Sequence, residues 1–185
     1  MREACGLVMA IELASLLPGF ARAQVSPGAG LDFVRNDGQW NPAVRCAARH
    51  PGGWIVAEQD ALGLCLERRC PDAVEGVYVR LVVEGASMAA PVVGEGVRFG
   101  VRNYFVGNDP SRWATHVPAF ARVRWQGILP GVDLVAREGA GDVEYDFELD
   151  PGADLEGLVV RVEGASRIRP SEDGSLLIDT RFGPV

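Results

Sequence analysis

Alternation of apolar and polar residues recurs along this sequence, and turn-forming residues separate ten short strand-like segments. A period of two is typical of β-strands, where successive side chains point to opposite faces. The 23 glycines and 12 prolines fall between the segments rather than in one block. The predicted strands are Val44 to Arg49, Trp54 to Glu58, Leu62 to Glu67, Gly76 to Glu84, Val97 to Phe105, Phe120 to Trp125, Val132 to Ala136, Asp142 to Leu149, Leu158 to Glu163 and Ser175 to Asp179. This spacing predicts an all-β domain of two packed, mainly antiparallel sheets, either a β-sandwich or a flattened barrel.

The first 23 residues predict a secretory signal peptide. Arg2 gives a positive start, residues 6–17 are apolar apart from Glu12 and Ser15, and Ala21-Arg22-Ala23 is a small-x-small cleavage site. The alternatives are a misplaced start codon or a short buried helix. We therefore expect a signal peptide over 1–23, a flexible lead-in over 24–30, and one all-β domain over 31–185 in a secreted or cell-envelope protein.

The charge of the chain bears on its partners. The formal net charge is -7, and the basic residues do not cluster as a phosphate backbone would require. We therefore expect no nucleic-acid partner. No segment after the predicted signal reaches the 18 or so apolar residues of a membrane-spanning helix, so we expect no membrane span in the mature chain.

Export predicts an oxidising compartment for the three cysteines that follow the signal. Cys46 and Cys65 lie in neighbouring predicted strands and are one candidate disulfide pair. Cys65 and Cys70 would close only a short loop, and buried free thiols are a further alternative. The spacing does not favour zinc.

Five carboxylates alternate with apolar residues over 142–150. Strand geometry places them on one face, with same-face neighbours about 6.6 Å apart. A solvated face, partly neutralised by Arg122 and Arg124, is the favoured interpretation. The alternatives are a calcium site and a glycosidase-like acid pair, both built from residues of this strand. The candidate residues are Glu144, Asp146 and Glu148.

The stretch 102–120 contains a turn and several aromatic residues. Asp109 can cap a short helical turn that begins at Pro110, which would direct Trp113 inward as a plug. The functional alternative is an exposed sugar-binding platform of aromatic rings. Its candidate residues are Tyr104, Trp113 and Trp125.

Nucleophilic catalysis has little support in the sequence. Ser87 lies in a Gly-x-Ser-x-Ala stretch that lacks the second glycine of a nucleophile elbow and the strand-turn-helix setting. His50 and His116, the only histidines, fall in predicted turn or loop positions. We therefore expect a non-enzymatic protein without a cofactor, with calcium as the alternative.

Five motifs in order carry a family resemblance. They are FVRNDGQW at 33–40, NYFVGNDPSRW at 103–113, VRWQGILPGVDL at 123–134, EYDF at 144–147 and PGAD at 151–154. Together they resemble the uncharacterised N-terminal domain of bacterial secreted and cell-surface proteins that carry SBBP-type β-propeller repeats. The resemblance covers residues 31–185 and implies an exported all-β domain, with no catalytic residue to carry over. The family pattern runs on beyond residue 185, which implies a fragment or a truncated reading frame.

These observations favour a structural or interaction module at the head of a longer exported protein. Its expected partners are a protein or glycan at the cell surface, or downstream domains of the same polypeptide. Carbohydrate binding through an aromatic patch is the main alternative. A glycosidase-like enzyme that uses the acidic strand is third.

Overall fold

The computed structural model describes residues 30–71, 73–139, 142–154 and 156–185. These residues form fifteen β-strands and one 3-10 helix, Pro110–Arg112. The strands are β1 Phe33–Arg35, β2 Cys46–His50, β3 Gly53–Ala57, β4 Ala61–Arg69, β5 Val74–Val83, β6 Val92–Val97, β7 Arg102–Tyr104, β8 Ala114–Val117, β9 Ala119–Leu129, β10 Val132–Glu138, β11 Val143–Leu149, β12 Val160–Glu163, β13 Arg167–Pro170, β14 Leu176–Thr180 and β15 Gly183–Pro184. The predictions for 1–23 and for most of the 24–30 lead-in lie outside the described residues.

Ten strands form one antiparallel sheet in the order β11-β10-β9-β1-β2-β3-β4-β5-β12, and β6 also pairs with β9. Phe120 of β9 pairs with Val97 of β6 and with Phe33 of β1, so these two strands lie on opposite edges of β9. The sheet curls into a half-barrel. A three-stranded sheet of β13, β14 and β15 and a β7-β8 hairpin complete the fold. The prediction of an all-β fold with mainly antiparallel sheets is confirmed.

Nine of the ten predicted strands are present, with shifted ends. The largest difference lies between 97 and 105, predicted as one strand, where β6 ends at Val97 and β7 begins at Arg102. Gly96 and Gly100 have φ angles of 67° and 94°, outside the strand region, and they bend the chain. Most strands missing from the prediction, such as β1 with three residues and β8 with four, are too short for alternation to show, whereas β6 has six residues of which two are glycines.

The central strands are buried on both faces, so the sheet separates two apolar cores. On one side, which we call the inner core, Phe33, Ile55 and Trp125 pack together with residues of β4, β5 and β10. On the other side, the outer core contains Val34, Val56 and Trp40. Neighbours such as Phe33 and Val34 therefore serve different cores, which is the direct result of strand alternation.

The outer core is covered by the segment that follows β1 and by the β7-β8 hairpin. Trp40 contacts Trp54 and Tyr104 edge to face, with ring centroids 6.3 and 5.5 Å apart. Ala114 and Val117 of β8 are buried in the same core. Within the described ranges, no helix is long and apolar enough to cross a membrane.

Candidate functional site

The three rings of the predicted sugar platform do not come together. Trp125 lies on β9, is fully buried in the inner core, and donates its indole hydrogen to the backbone oxygen of Glu58 at 2.7 Å. Tyr104 packs against the outer core on the other side of the sheet. Burial of Trp125 corrects its assignment as an exposed binding ring, because a sugar cannot stack on a ring inside the inner core.

Trp113 differs from the predicted plug. Asp109 accepts a hydrogen bond from Ser111 N at 3.0 Å, and Pro110 begins the 3-10 helix, so the capped turn is confirmed. The ring of Trp113, however, is 39% exposed and lies edge to face on Phe105 at 5.1 Å. Its indole donates to Gly107 O at 3.2 Å. Trp40 fills the outer core in its place.

One loop, residues 97–101, carries several exposed apolar side chains, and we call it the Phe99 loop. Val97, Phe99 and Val101 are all exposed, and Phe99 has no burial at all. Phe105, in the segment that leads to Trp113, is also 63% exposed. Clusters of exposed apolar side chains of this kind commonly mark sites of interaction with other molecules.

Asp32 holds the Phe99 loop at its base. Its Oδ1 lies 3.2 Å from Arg98 Nε, and its Oδ2 accepts a hydrogen bond from Arg102. Gly100, with a φ of 94°, permits the reversal that brings both arginines to one carboxylate. The loop therefore projects Phe99 outward from a base that is fixed by ion pairs, and the two arginines leave one positive charge there.

The acidic strand β11 contacts arginine side chains. Arg137 of β10 lies 2.8 Å from Glu144 and 2.9 Å from Asp146, and Arg124 of β9 lies 2.6 Å from Glu148. The predicted role of Arg124 matches this geometry, whereas Arg122 contacts Glu95 and the predicted set lacked Arg137. The described residues contain no cluster of three or more His, Cys, Asp or Glu that could hold a metal ion.

Contacts between charged groups beside β11 shift the pKa values of Arg124 and Asp133. Glu148, Asp133 and Glu95 all contact Arg124 and raise the pKa of its guanidinium, and Glu148 has the largest effect. The pKa of Asp133 is lowered, chiefly because its carboxylate accepts a hydrogen bond from Gly127 N at 2.7 Å and also contacts Arg124. These contacts therefore favour the ionised forms of Arg124 and Asp133.

The predicted pairing of Cys46 with Cys65 is wrong. In the intervening strand β3, Cys46 pairs with Ala57 and Cys65 pairs with Trp54, so the two cysteines lie on different strand pairs. Cys46 belongs to the inner core and Cys65 to the outer core, so the sheet separates their side chains. Both thiols are free, and burial raises the pKa of each to about 12.

A buried polar network was not identified from the sequence. Glu58, 8% exposed, accepts hydrogen bonds from the Tyr78 hydroxyl and from Arg80 Nε, each at 2.7 Å. Arg80 also contacts Asp60 at 3.2 Å and Glu163 at 2.5 Å. The network joins the β3-β4 turn to β5 and β12, and burial together with Glu58 raises the pKa of Tyr78. The hydrogen-bond and ion-pair partners in this network connect three elements of the fold to one another, which indicates a structural role.

Asn36 organises the segment of the FVRNDGQW motif. Its Nδ2 donates to Asn41 O at 2.9 Å and to Val44 O at 2.8 Å, while its Oδ1 accepts from Gly38 N and Trp40 N, both at 3.1 Å. These bonds hold the turn that places Trp40 over the outer core. A groove of about 790 Å³ runs beside this turn, lined in part by Arg35, Arg45 and Phe120.

Both histidines lie in strands rather than in a turn or loop, His50 as the last residue of β2 and His116 within β8. Nδ1 of His50 accepts from Gly52 N at 3.2 Å in the β2-β3 turn, and Nε2 lies 3.3 Å from Asp142. His116 is exposed in β8 with a φ of 58°, and its backbone N–H donates to Asn103 Oδ1 at 2.9 Å.

Comparison with known proteins gives one match. A family described as a domain of unknown function (DUF7948) matches residues 33–185. Neither the curated proteins nor the solved structures contain a match.

Proposed function

The chain belongs to the DUF7948 family of domains of unknown function, and we propose that it is a non-catalytic interaction module of an exported bacterial protein. The observation that carries the proposal is the Phe99 loop, whose apolar side chains are exposed above a base held by Asp32. Full burial of Phe99 would be worth about 1.5–3 kcal/mol, and Val97 and Val101, which are already partly buried, would each gain less. A binding partner that covers them recovers this free energy.

The chemistry of the loop favours a protein partner. Its three exposed side chains, Val97, Phe99 and Val101, are apolar without hydrogen-bonding groups, and aromatic residues such as Phe99 are enriched in protein–protein interfaces. Sugars instead need a flat ring with hydrogen-bonding groups beside it. Phe105 and Trp113 lie at 84° to each other, so this pair presents no common plane for a sugar.

Photo-crosslinking tests the partner proposal. A benzophenone amino acid replaces Phe99 in the full chain in its host, and a matched variant carries it at Met88, which is 66% exposed outside the loop. We expect a discrete protein adduct from residue 99 only. Added purified domain is expected to reduce the yield of this adduct, whereas added domain with Phe99→Ser is not. Equal adducts from both positions would contradict the proposal.

A glycan array separates the two candidate partners. The intact domain and a Phe99→Ser, Val101→Ser variant are applied to the same array. We expect no glycan signal from either. A strong signal that survives both substitutions would favour the carbohydrate alternative and remove the Phe99 loop from the function.

The exported location rests on the composition of residues 1–23, and its test is independent. Alkaline phosphatase, active only after export, is fused after residue 185 in chains that begin at residue 1 or at residue 24. We expect activity only from the longer chain, with a mature N-terminus at Gln24. Activity from both, or from neither, would contradict export by this segment. The association with β-propeller repeats remains part of this proposal, and sequencing the gene beyond codon 185 tests it.

A further inference from the structure

Strand β11 forms one edge of the ten-stranded sheet. It pairs with β10 over seven consecutive residues, from Val143 opposite Glu138 to Leu149 opposite Val132, and no described strand pairs with its other side. A free edge of this length presents a row of backbone donors and acceptors to solvent. We propose that this edge binds an extended segment of a partner protein in which basic and apolar residues alternate.

The hairpin hydrogen bonds show which backbone groups face outward. Asp150 N donates to Gly131 O at 2.9 Å, and Asp142 O accepts from Gly139 N at 2.8 Å, so the even-numbered residues direct their backbone groups toward β10. In a strand, N–H and C=O of one residue point to the same side and alternate along the chain. The outward groups therefore belong to Val143, Tyr145, Phe147 and Leu149.

The side chains of these four residues require an apolar partner. Val143 and Phe147 pack on the inner core, whereas Tyr145 and Leu149 remain 43% and 44% exposed. Side chains directly opposite in an antiparallel pair are about 4.5–5.5 Å apart. Apolar residues of an added strand therefore extend the inner core and cover Tyr145 and Leu149.

The other face of β11, which carries its carboxylates, favours basic residues on an added strand. Three guanidinium groups serve five carboxylates, which leaves an excess of negative charge. The carboxylates are Glu95, Asp133, Glu144, Asp146 and Glu148, and the guanidinium groups are Arg122, Arg124 and Arg137. Arginine or lysine on an added strand adds charge partners for this face.

The same charges act against a second copy of the chain. An antiparallel pair of two β11 strands places Glu144, Asp146 and Glu148 opposite one another, and like charges directly opposite are destabilising. The edge at β12 is less suitable, because it has only four residues and carries both Arg161 and Glu163. β11 therefore selects a basic strand, which is strand addition with charge specificity.

Peptide binding tests the proposal with the intact chain. The probe is a fluorescent eight-residue peptide that alternates valine and arginine, and the control has the same residues in two blocks, four arginines then four valines. We expect the alternating peptide to bind at least tenfold tighter in fluorescence anisotropy. Equal affinity would show electrostatic adhesion only and overturn the proposal.

Methylation of peptide nitrogens tests the backbone contacts without altering the protein. One peptide carries N-methyl groups on all valines and another on all arginines. The outward backbone groups belong to Val143, Tyr145, Phe147 and Leu149, and the peptide's valines lie opposite them, so the valine N–H groups face β11. We therefore expect the valine-methylated peptide to bind at least tenfold more weakly than the arginine-methylated peptide, and the reverse order would overturn the proposed register. Equal losses would exclude strand addition.

Two variants locate the site. Glu144→Gln with Asp146→Asn is expected to weaken binding at least threefold and to reduce its salt dependence, whereas unchanged binding would contradict the charge argument. Phe99→Ser serves as a control on a separate surface and is expected to leave peptide binding unchanged. The proposal for the β11 edge and the proposal for the Phe99 loop can therefore fail independently of each other.

Discussion

The phenol of Tyr78 lies directly over Gly63 of the neighbouring strand. A Cβ added at residue 63 would come within 2.1 Å of Tyr78 Oη and 2.6 Å of Cζ. The ring has little freedom to move, since Glu58 accepts its hydroxyl hydrogen at 2.7 Å and it packs against the outer core. Glycine in a strand interior often marks such a close approach. The packing therefore requires the absence of a side chain at residue 63.

Gly63→Ala is expected to destabilise the domain by about 1–3 kcal/mol, because the added methyl group overpacks the site. In a Tyr78→Val background the same substitution is expected to cost less, because the clashing ring is gone. Urea denaturation of the wild type, both single variants and the double variant measures this coupling. An equal cost of Gly63→Ala in the two backgrounds would contradict the packing argument.

Asn36→Asp is expected to destabilise the domain by about 2–3 kcal/mol, because a carboxylate oxygen replaces the amide group that faces Asn41 O and Val44 O. Asn41→Ala is a matched control. Among the described residues, Ala43 N at 2.9 Å is the one donor to Asn41 Oδ1, so a loss of about 0.5–1.5 kcal/mol is expected there. Similar losses from the two variants would show that Asn36 does not organise the turn.

The strands were predictable from the sequence because alternation is a local signal. In β11, the apolar set from Val143 to Leu149 shares one face as predicted. The pattern could not show which strands pair, so Arg137 on β10 was missed as the partner of Glu144. The chain also carries two cores. Local alternation does not show that β2 and β3 are buried on both faces, and the cysteines were therefore paired across the sheet.

Individual side chains of the candidate site were less predictable than the strands. Trp113 follows a predicted turn and is part of the surface, whereas Trp125 ends a predicted strand and is fully buried. Their environments depend on pairing between distant segments. The Phe99 loop was hidden in a predicted strand, although Gly96 and Gly100 on either side of it could have indicated a break.

Cys46 and Cys65 are expected to resist alkylation in the folded domain, because both are buried and their pKa of about 12 leaves almost no thiolate at pH 8. Cys70 is half-buried and serves as the internal control. Peptide mass spectrometry after a short iodoacetamide pulse is expected to find label at residue 70 alone among these three, and at all three after urea unfolding. A linked peptide pair containing Cys46 and Cys65 would contradict the structure.

Asp133→Asn is expected to change how stability depends on pH. Hydrogen bonding by Gly127 N and contact with Arg124 lower the pKa of Asp133 in the folded state, so its ionised form stabilises the fold at any pH above its unfolded value of about 3.9. That contribution is lost as pH falls below about 4 through the lower folded pKa. At pH 7 the variant is expected to be less stable than the wild type by about 1 kcal/mol, since a charged acceptor becomes neutral. At pH 2.5 the gap is expected to narrow, because the wild-type carboxyl is then increasingly protonated. Urea denaturation at a series of pH values measures both chains, and a gap that stays constant from pH 7 to pH 2.5 would show that ionised Asp133 does not stabilise the β9-β10 turn.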